Sequence, residues 1–245
     1  MKPRTRSLLL LLATVLGMAL TARLGFWQLD RAAQKQALQA AIEQRAELPA
    51  LTGLELLSEP VAAQAQVHRK ARLRGQWLED KTVFLDNRPM QGRVGFFALT
   101  PLQIEGRREA LLVQRGWVPR DGLDRSRLPE LPRSTGVVEV EGRLAVSASR
   151  LYEFSSVVSG RIRQNVEVTE YSTEIKQVLL PLTLVQSRPD NAAGPDGLLR
   201  DWVAPAAGLH KNYGYAFQWF ALCALILGLY VWFQTIRPRR HARPQ

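Results

Sequence analysis

The stretch HKNYGYAFQWFALC, residues 210–223, decides the fold because it opens a long apolar segment near the end of the chain. It holds one of the three histidines and the only cysteine of the chain, and five aromatic residues crowd into 213–220. From Tyr215 to Ile236 no residue is charged. Because about 20 mostly apolar residues are enough to cross a bilayer, the sequence predicts a transmembrane helix over 213–236.

A second apolar segment lies near the beginning of the chain. Residues 7–22 carry no charge, and after one arginine the apolar character resumes as LGFWQL. A cleaved signal peptide is an alternative interpretation, because a basic start followed by an apolar run is typical of such peptides. A cut after Ala22 would, however, place Leu20 where a small residue is required. The sequence therefore favours an uncleaved transmembrane helix over 7–29.

The net charge of +11 is concentrated at the two ends of the chain. Eight of the 33 basic residues lie before residue 30 or after residue 236, whereas residues 30–212 hold the other 25 and all 22 acidic residues. Cytoplasmic flanks of transmembrane helices are rich in Lys and Arg. This rule predicts cytoplasmic termini (1–6 and 237–245) and places residues 30–212 on the other side of the membrane. For a bacterial inner-membrane protein, that side is the periplasm. The nearly balanced charge of that domain argues against nucleic-acid binding.

The region between the apolar segments has the pattern of one helix followed by short strands. Residues 29–46 are rich in strong helix formers and predict an extension of the first helix, and residues 49–64 resemble a linker. From residue 66 onward, runs of β-prone residues alternate with turn signals, and a short helix is predicted over 165–176. The predicted fold is a membrane protein with two transmembrane α-helices flanking a periplasmic α+β domain built on an antiparallel sheet or small barrel.

The predicted domain carries no signature of an enzyme. The sequence lacks the GxSxG, HExxH, P-loop and GxGxxG patterns. A single cysteine excludes an internal disulfide and a cysteine-based metal site. His68 lies in a basic, polar stretch that predicts a surface residue, and Asp86 and Arg88 in LDNRP are typical of a turn. We therefore expect no catalytic residues and no metal site.

Several stretches along the chain follow one family pattern. LGFWQLDRAAQK, Leu24–Lys35, fits the pattern LGxWQLxRxxxK around the first apolar helix. Residues 212–219 fit the H-x-x-Y-A-x-x-W entrance to the second helix except at the first position. Between them, in family order, lie LDNRPMQGRVGFFALTPL (85–102), VQRGWVPR (113–120), EGRL (141–144) and RQNVEV (163–168). By the order and spacing of these stretches, the chain resembles the Surfeit locus protein 1 family of cytochrome c oxidase assembly factors.

The resemblance implies a two-span membrane protein without enzymatic activity of its own. Members of the family assist haem a insertion or stabilise subunit I of a haem–copper cytochrome c oxidase during its biogenesis. The implied partners are cytochrome c oxidase subunit I and haem a synthase, and the implied cofactor is haem a, held transiently. A periplasmic sensor or ligand-binding module tethered by two helices, unrelated to respiration, is the alternative class of protein.

The resemblance also selects a candidate site at the entrance to the second helix. His210, Tyr215 and Trp219 are the candidate residues for contact with haem a or the oxidase. The family has a histidine three residues before the tyrosine, but Asn212 occupies that position here, and an amide is a poor ligand for haem iron. His210 lies two residues upstream, which turns a helical side chain by about 200°. Two interpretations of His210 stay open: a polar residue at the membrane interface, or a haem ligand.

Aromatic and polar residues of the apolar segments predict further contacts. Tyr and Trp gather at membrane–water interfaces, which accounts for the aromatic residues at both ends of the second segment. Polar groups at membrane depth usually face another helix, and three residues qualify: Arg23, Gln28 and Gln218. We expect them to join the two spans either to each other or to an oxidase subunit. Asn212 is also a candidate cap near the start of the second helix.

Overall fold

The computed structural model describes residues 3–122, 124, 128–134, 136–146, 160–187 and 196–237. The chain forms two compact units, one of Met1–Ala40 with Val203–Gln245 and the other of Ala41–Trp202. In chain order the helices are α1 (Pro3–Ala46), α2 (Pro60–Ala63), α3 (Val168–Ile175) and α4 (Leu209–Val231). A π-helical turn, Trp232–Ile236, follows α4 directly.

The first unit is built on α1 and α4. Helix α1 is continuous to Ala46, which confirms the predicted extension of the first apolar segment. Both helices are long and apolar enough to cross a membrane, with mean hydropathies of 2.0 and 1.8 over their most apolar windows. Their length and composition therefore fit two spans, and the bounds 7–29 and 213–236 stay predictions.

Helices α1 and α4 run antiparallel and touch along most of the length of α4. The residue numbers of the contacting pairs run in opposite directions: Lys35–Asn212, Phe26–Phe220, Met18–Cys223 and Gly17–Ile226. The two phenylalanine rings meet edge to face, with their centroids 5.2 Å apart. We call this contact face, from Lys35 and Asn212 at one end to Gly17 and Ile226 at the other, the seam.

Small residues let the two helices approach along the seam. Thr21, Gly25 and Ala32 are buried on α1, and Ala216 is buried on α4. A methyl group added to Gly25 would lie 2.8 Å from the ring of Phe220, which is closer than carbon atoms can pack. Close packing over small residues is the main attraction available to helices in an apolar medium. The small residues of the seam therefore allow α1 and α4 to pack directly against each other.

The second unit is a β-barrel-like domain. Its strands are β1 (Lys70–Trp77), β2 (Val83–Met90), β3 (Arg93–Ile104), β4 (Ala110–Pro119), β5 (Val138–Ala145), β6 (Ile162–Arg163) and β7 (Leu179–Gln186). The β-prone runs that the sequence predicts as strands all contribute to them, and the short helix predicted over 165–176 is α3.

Five of these strands close into a ring in the order β1-β5-β7-β4-β3, because β1 pairs with both β5 and β3. Strand β2 extends the sheet from β3, and β6 follows β2. At the closure, Gly75 pairs with Val138 on one side and Ile104 on the other. A Cβ atom on Gly75 would lie 2.2 Å from the carbonyl oxygen of Gln103, so the closure requires a glycine.

The sheet is mixed, whereas the sequence predicts an antiparallel one. Within the described residues, β4 pairs with β7 and β2 pairs with β6 in parallel, and the other pairings are antiparallel. Parallel partners need long crossover connections, and these strands come from distant parts of the chain. Turn signals report only neighbouring strands, so they carry no information about these two pairs.

The LDNRP stretch was predicted as a turn, and that prediction is wrong. It lies inside β2, where the pairing with β3 shifts between Leu85 and Arg88. At this bulge Asn87 has a positive φ of 59°, and Arg88 is buried with 1% of its surface exposed. A bulge uses the same residue types as a turn, which explains the misleading signal.

The core of the barrel also corrects the linker predicted over 49–64. This segment forms a 3-10 turn, Gly53–Glu55, and the single turn α2. Its Leu51 and Leu56 are buried in the aliphatic cluster that fills the ring. A second cluster packs Tyr171 of α3 against the sheet. The Pro/Gly-rich segment 188–202 is described only from residue 196 onward.

Candidate functional site

The polar end of the seam is organised around Asn212. Its Nδ2 donates a hydrogen bond to Oε1 of Gln28 over 2.9 Å. Its Oδ1 accepts a hydrogen bond from Nζ of Lys35, also over 2.9 Å. One side chain of α4 therefore bridges two residues of α1 that are two helical turns apart. Both polar atoms of this amide are satisfied across the seam.

Asn212 can make this bridge because α4 begins upstream of it. The residue before the helix is Gly208, whose positive φ of 75° suits glycine, and the first helical residue is Leu209. The prediction that Asn212 caps the helix is therefore wrong. The side chain points across to α1 instead of back to its own backbone.

The structure separates the three candidate residues of the sequence. His210 is exposed on the first turn of α4, and Tyr215 is exposed over 52% of its surface. Trp219 is half-buried, and it lies seven residues after Asn212, which places both on the same face of the helix. His210, two residues before Asn212, lies on a different face. Trp219 thus lies on the face of the seam, His210 lies on a different face, and Tyr215 is exposed at the edge of the seam.

Of the polar residues expected to face another helix, only one does so in the described part of the chain. Gln28 is confirmed by its hydrogen bond to Asn212. Arg23 and Gln218 are exposed, so they do not join α1 to α4, and their contact with an oxidase subunit stays a prediction. A single polar residue in an apolar segment does not reveal which side of the helix faces a partner.

The sequence alone predicts no role for Gly25, Ala32 and Lys35, which the structure places on the seam. In chain order the helix carries Gly25, Gln28, Ala32 and Lys35, at intervals of three, four and three residues. This spacing is the repeat of two helices packed side by side. The LGFWQLDRAAQK stretch contains this repeat, so the signal was present. It repeats on α4 as Asn212, Ala216 and Trp219 within residues 212–219. The first and last family stretches therefore face each other across the seam.

Two other family stretches meet inside the barrel unit. Trp117 of VQRGWVPR is buried, and its Nε1 donates to the carbonyl oxygen of Arg88 in LDNRP over 2.7 Å. A Cβ on Gly95 would lie 2.6 Å from the Trp117 ring. Burial lowers the pKa of the Arg88 guanidinium to about 10, against the opposing effect of Asp86. Arg88 is thus still a cation at neutral pH, and these residues hold the strands together.

A polar cavity in the barrel unit, next to Trp77 and Arg115, holds charges of both signs. Its volume is about 810 Å³. The buried Arg115 lies at its edge, 4.5 Å over the ring of Trp77, with its pKa lowered by burial. The charged residues of its lining are Glu79, Asp80, Arg115, Glu130, Arg133 and Arg161. Because the acidic and basic groups are equal in number, the cavity favours neither an anionic nor a cationic ligand.

The described residues hold no cluster of three or more His, Cys, Asp or Glu side chains that could bind a metal ion. Haem a requires an axial ligand such as imidazole. At the family's histidine position stands Asn212, an amide whose two polar atoms are already hydrogen-bonded. The residues of the seam therefore do not fit haem iron. His210 is the imidazole that the described part of the helix pair offers, on another face of α4.

The fold and the seam define a class of protein in which a β-barrel-like domain lies in sequence between two apolar terminal helices that pair through small and polar side chains. The chain belongs to the SURF1 family, whose sequence model matches residues 15–224. This match begins in α1, ends in α4 and includes both sides of the seam. The resemblance found in the sequence is confirmed.

Individual relatives agree with this assignment. The SURF1-like protein of Rickettsia felis is 23% identical over 212 residues, which cover 85% of this chain and 89% of that protein. The SURF1-like protein of Rickettsia conorii is 24% identical over 215 residues, 85% of this chain and 84% of that protein. The cytochrome oxidase assembly protein SHY1 of Saccharomyces cerevisiae is 30% identical over 98 residues, 40% of this chain and 25% of that protein.

Proposed function

We propose that this protein is an assembly factor for a haem–copper cytochrome c oxidase and that it acts by binding rather than by catalysis. The observation that carries the proposal is membership of the SURF1 family over residues 15–224. The name of the yeast relative, a cytochrome oxidase assembly protein, supplies the process. The protein works in a bacterial inner membrane with both termini in the cytoplasm and the barrel in the periplasm, which the basic flanks of the helices support.

The proposed contact surface for the oxidase is the exposed part of the first turns of α4, outside the seam. Tyr213, Tyr215 and Phe217 are 45%, 52% and 74% exposed there, with Tyr215 on the opposite side of the helix from the other two. Aromatic residues are enriched at the centres of protein interfaces because they bury a large area with few rotatable bonds. His210 and Tyr215 contact subunit I in this proposal, and Trp219 supports α4 from the seam. Haem a synthase is the second proposed partner.

In this proposal the protein acts on haem a only indirectly. Asn212 does not fit an iron ligand, and its amide is held by Gln28 and Lys35. The protein therefore assists haem a insertion by stabilising subunit I while that subunit receives its haem. Purified protein, co-produced with the enzymes of haem a synthesis, is expected to show no Soret band. A Soret band that disappears in His210→Ala would establish direct ligation and overturn the indirect role.

Deletion of the gene tests the proposed function. The deletion strain is expected to lose haem a absorbance and cytochrome c oxidase activity from its membranes, and a plasmid copy restores both. Unchanged oxidase spectra would refute the assignment and favour the tethered sensor or ligand-binding module.

The contact surface is tested in the same strain. The double variant Tyr215→Ala, Phe217→Ala is expected to restore less oxidase activity and to recover less subunit I in affinity purification. The matched control is Leu225→Ala, which removes an exposed apolar side chain (55%) deeper in the same helix. Equal recovery of subunit I with both variants would remove these exposed aromatic residues of α4 from the proposal.

A further inference from the structure

Arg23 is a cationic residue within the first predicted span, and it faces away from the helix pair. Thr21 and Gly25 lie on the seam. Arg23 is two positions from each of them, which turns its side chain by about 200° around the helix. This side chain is exposed. The contact surface proposed above lies on α4, so the outer face of α1 around Arg23 is a separate feature.

The two apolar segments supply no carboxylate to neutralise this charge. Residues 1–29 and 202–245 contain no Asp or Glu. The nearest acidic residue in the sequence is Asp30, seven positions further on and therefore about 10 Å away along the helix axis. Within the described part of the chain, Arg23 forms neither a hydrogen bond nor an ion pair. All five N–H donors of its guanidinium group are thus available to a partner.

The neighbours of Arg23 on the surface of α1 are mostly apolar. These residues, at three, four and seven positions from Arg23, are Leu16, Ala19, Leu20, Phe26, Trp27 and Asp30. Leu16, Leu20 and Trp27 are each more than half exposed. The two leucines, Arg23 and the tryptophan follow one another at intervals of four, three and four residues. Because this spacing is the repeat of packed helices, the outer face of α1 has the pattern of a second packing face.

A lipid head group is a poor partner for Arg23. Leu29 ends the predicted span about 9 Å beyond it along the helix axis. The Cα–Cβ bonds of a helix tilt towards its N-terminus, and the N-terminus of α1 is cytoplasmic in the proposed function. The Arg23 side chain therefore leans into the membrane, away from the periplasmic head groups. Charged residues at membrane depth are rare and usually pair with opposite charges inside a helix bundle.

We propose that the outer face of α1 packs against a transmembrane helix of oxidase subunit I, and that an Asp or Glu of that helix forms an ion pair with Arg23. The inference rests on the proposed function and gives one of its contacts a defined chemistry. A second copy of this chain is a poor occupant, because its apolar segments contain no carboxylate. Leu16, Leu20 and Trp27 supply the apolar contact on both sides of the ion pair.

The test uses a tagged full-length protein, produced beside the chromosomal copy so that the amount of oxidase does not depend on the variant. It is purified from membranes in mild detergent, and the recovered subunit I is measured by immunoblot. Arg23→Gln is expected to lower this recovery at least about tenfold, because a carboxylate of the partner stays buried without its cation. Arg23→Lys keeps the charge and should retain most of the recovery.

The matched control is Arg31→Gln, which removes the same charge from an exposed position of α1 beyond the span. It is expected to recover as much subunit I as the wild type does. The second measurement is the melting temperature of the protein purified from a strain without the oxidase. Arg23→Gln is expected to leave this temperature unchanged, because the proposed partner is absent.

Three results would overturn the proposal. Equal recovery of subunit I with Arg23→Gln and the wild type would leave a lipid head group as the partner of the cation. A lower melting temperature of Arg23→Gln, or an equal loss of subunit I with Asp30→Asn, would show that Arg23 acts within its own chain.

The outcome can be separated from that of the proposed function. If the wild type recovers subunit I and Arg23→Gln recovers as much, only the role of Arg23 is refuted. If the wild type recovers none and the deletion strain keeps its oxidase, the proposed function is refuted as well.

Discussion

The side-chain amide of Asn212 donates from Nδ2 to Oε1 of Gln28 across 2.9 Å, although the two residues are 184 positions apart. A half-buried amide between apolar helices has few alternative partners, so its hydrogen bonds define which residues of the helices lie opposite each other. Lys35 completes the bridge from one side. The bridge thus sets the register of the helix pair.

Replacing Asn212 by alanine is expected to destabilise the helix pair. The change removes two hydrogen bonds, and bonds of this type between membrane helices contribute about 0.6–2 kcal/mol each. The measurement is the melting temperature of the full-length protein in detergent. Gln218→Ala, at an exposed position of the same helix, is the control and should melt with the wild type. If Gln28→Ala and Asn212→Ala prove additive in a double-mutant cycle, the two side chains do not interact.

Gly25→Val is expected to separate α1 from α4. Any Cβ at this position lies 2.8 Å from the Phe220 ring, and overpacking of this kind costs about 1–3 kcal/mol. The melting temperature should fall, and Phe220→Ala in the same chain should recover part of the loss. Gly228→Val is the control, because a Cβ there meets nothing within 4 Å. A melting temperature unchanged by Gly25→Val would show that the helices do not pack at this position.

Trp117→Phe is expected to destabilise the barrel unit by about 1–3 kcal/mol, the cost of leaving a buried polar group unsatisfied. The indole donates to the carbonyl oxygen of Arg88 in a site where Trp117 is only 1% exposed. Chemical denaturation of the full-length protein, followed by near-UV circular dichroism, measures the loss. Trp202→Phe removes a similar bond to Gln186 from a half-buried site. Water can replace that donor, so the control should lose less, and equal losses would contradict the prediction.

His68 is expected to make the barrel unit less stable in mild acid. Burial lowers its pKa below 6.5, and the charges of Arg143 and Arg45 act in the same direction. Below pH 6.5 the unfolded chain therefore binds a proton that the folded protein resists, so the free energy of unfolding falls as the pH falls through this window. In the fold, Nδ1 of His68 lies 3.2 Å from Nη1 of Arg143. A neutral ring can accept a hydrogen bond from that guanidinium group at Nδ1.

The measurement is the melting temperature of the wild type and of His68→Gln between pH 5 and pH 7.5. The wild type should lose stability towards pH 5, and the variant should lose less. Carboxylates with lowered pKa, such as Glu174, titrate below this range and leave the comparison undisturbed. Parallel profiles of the two proteins would exclude His68 as the cause. The prediction of His68 as a surface residue is corrected here, because the ring is half-buried.

Much of the architecture could be predicted because it depends on local patterns. The two apolar segments, the strands of the barrel and α3 each follow from the spacing of apolar residues within one element. The candidate site of His210, Tyr215 and Trp219 stays a prediction, and the structure adds where these residues lie on α4. Trp219 and Asn212 lie on the seam, but His210 and Tyr215 do not, because a run of aromatic residues does not show which face of its helix meets a partner.

The sequence by itself determined the two long apolar helices, the β-rich domain between them and the membership of the family, since hydrophobic periodicity and ordered motifs are written along the chain. Only the tertiary structure decided that Asn212 meets Gln28 and Lys35, that β4 and β7 pair in parallel, and that Arg88 lies inside a strand. Each of these depends on segments that are far apart in the chain. Packing brings such segments together, and local preferences do not encode which of them will meet.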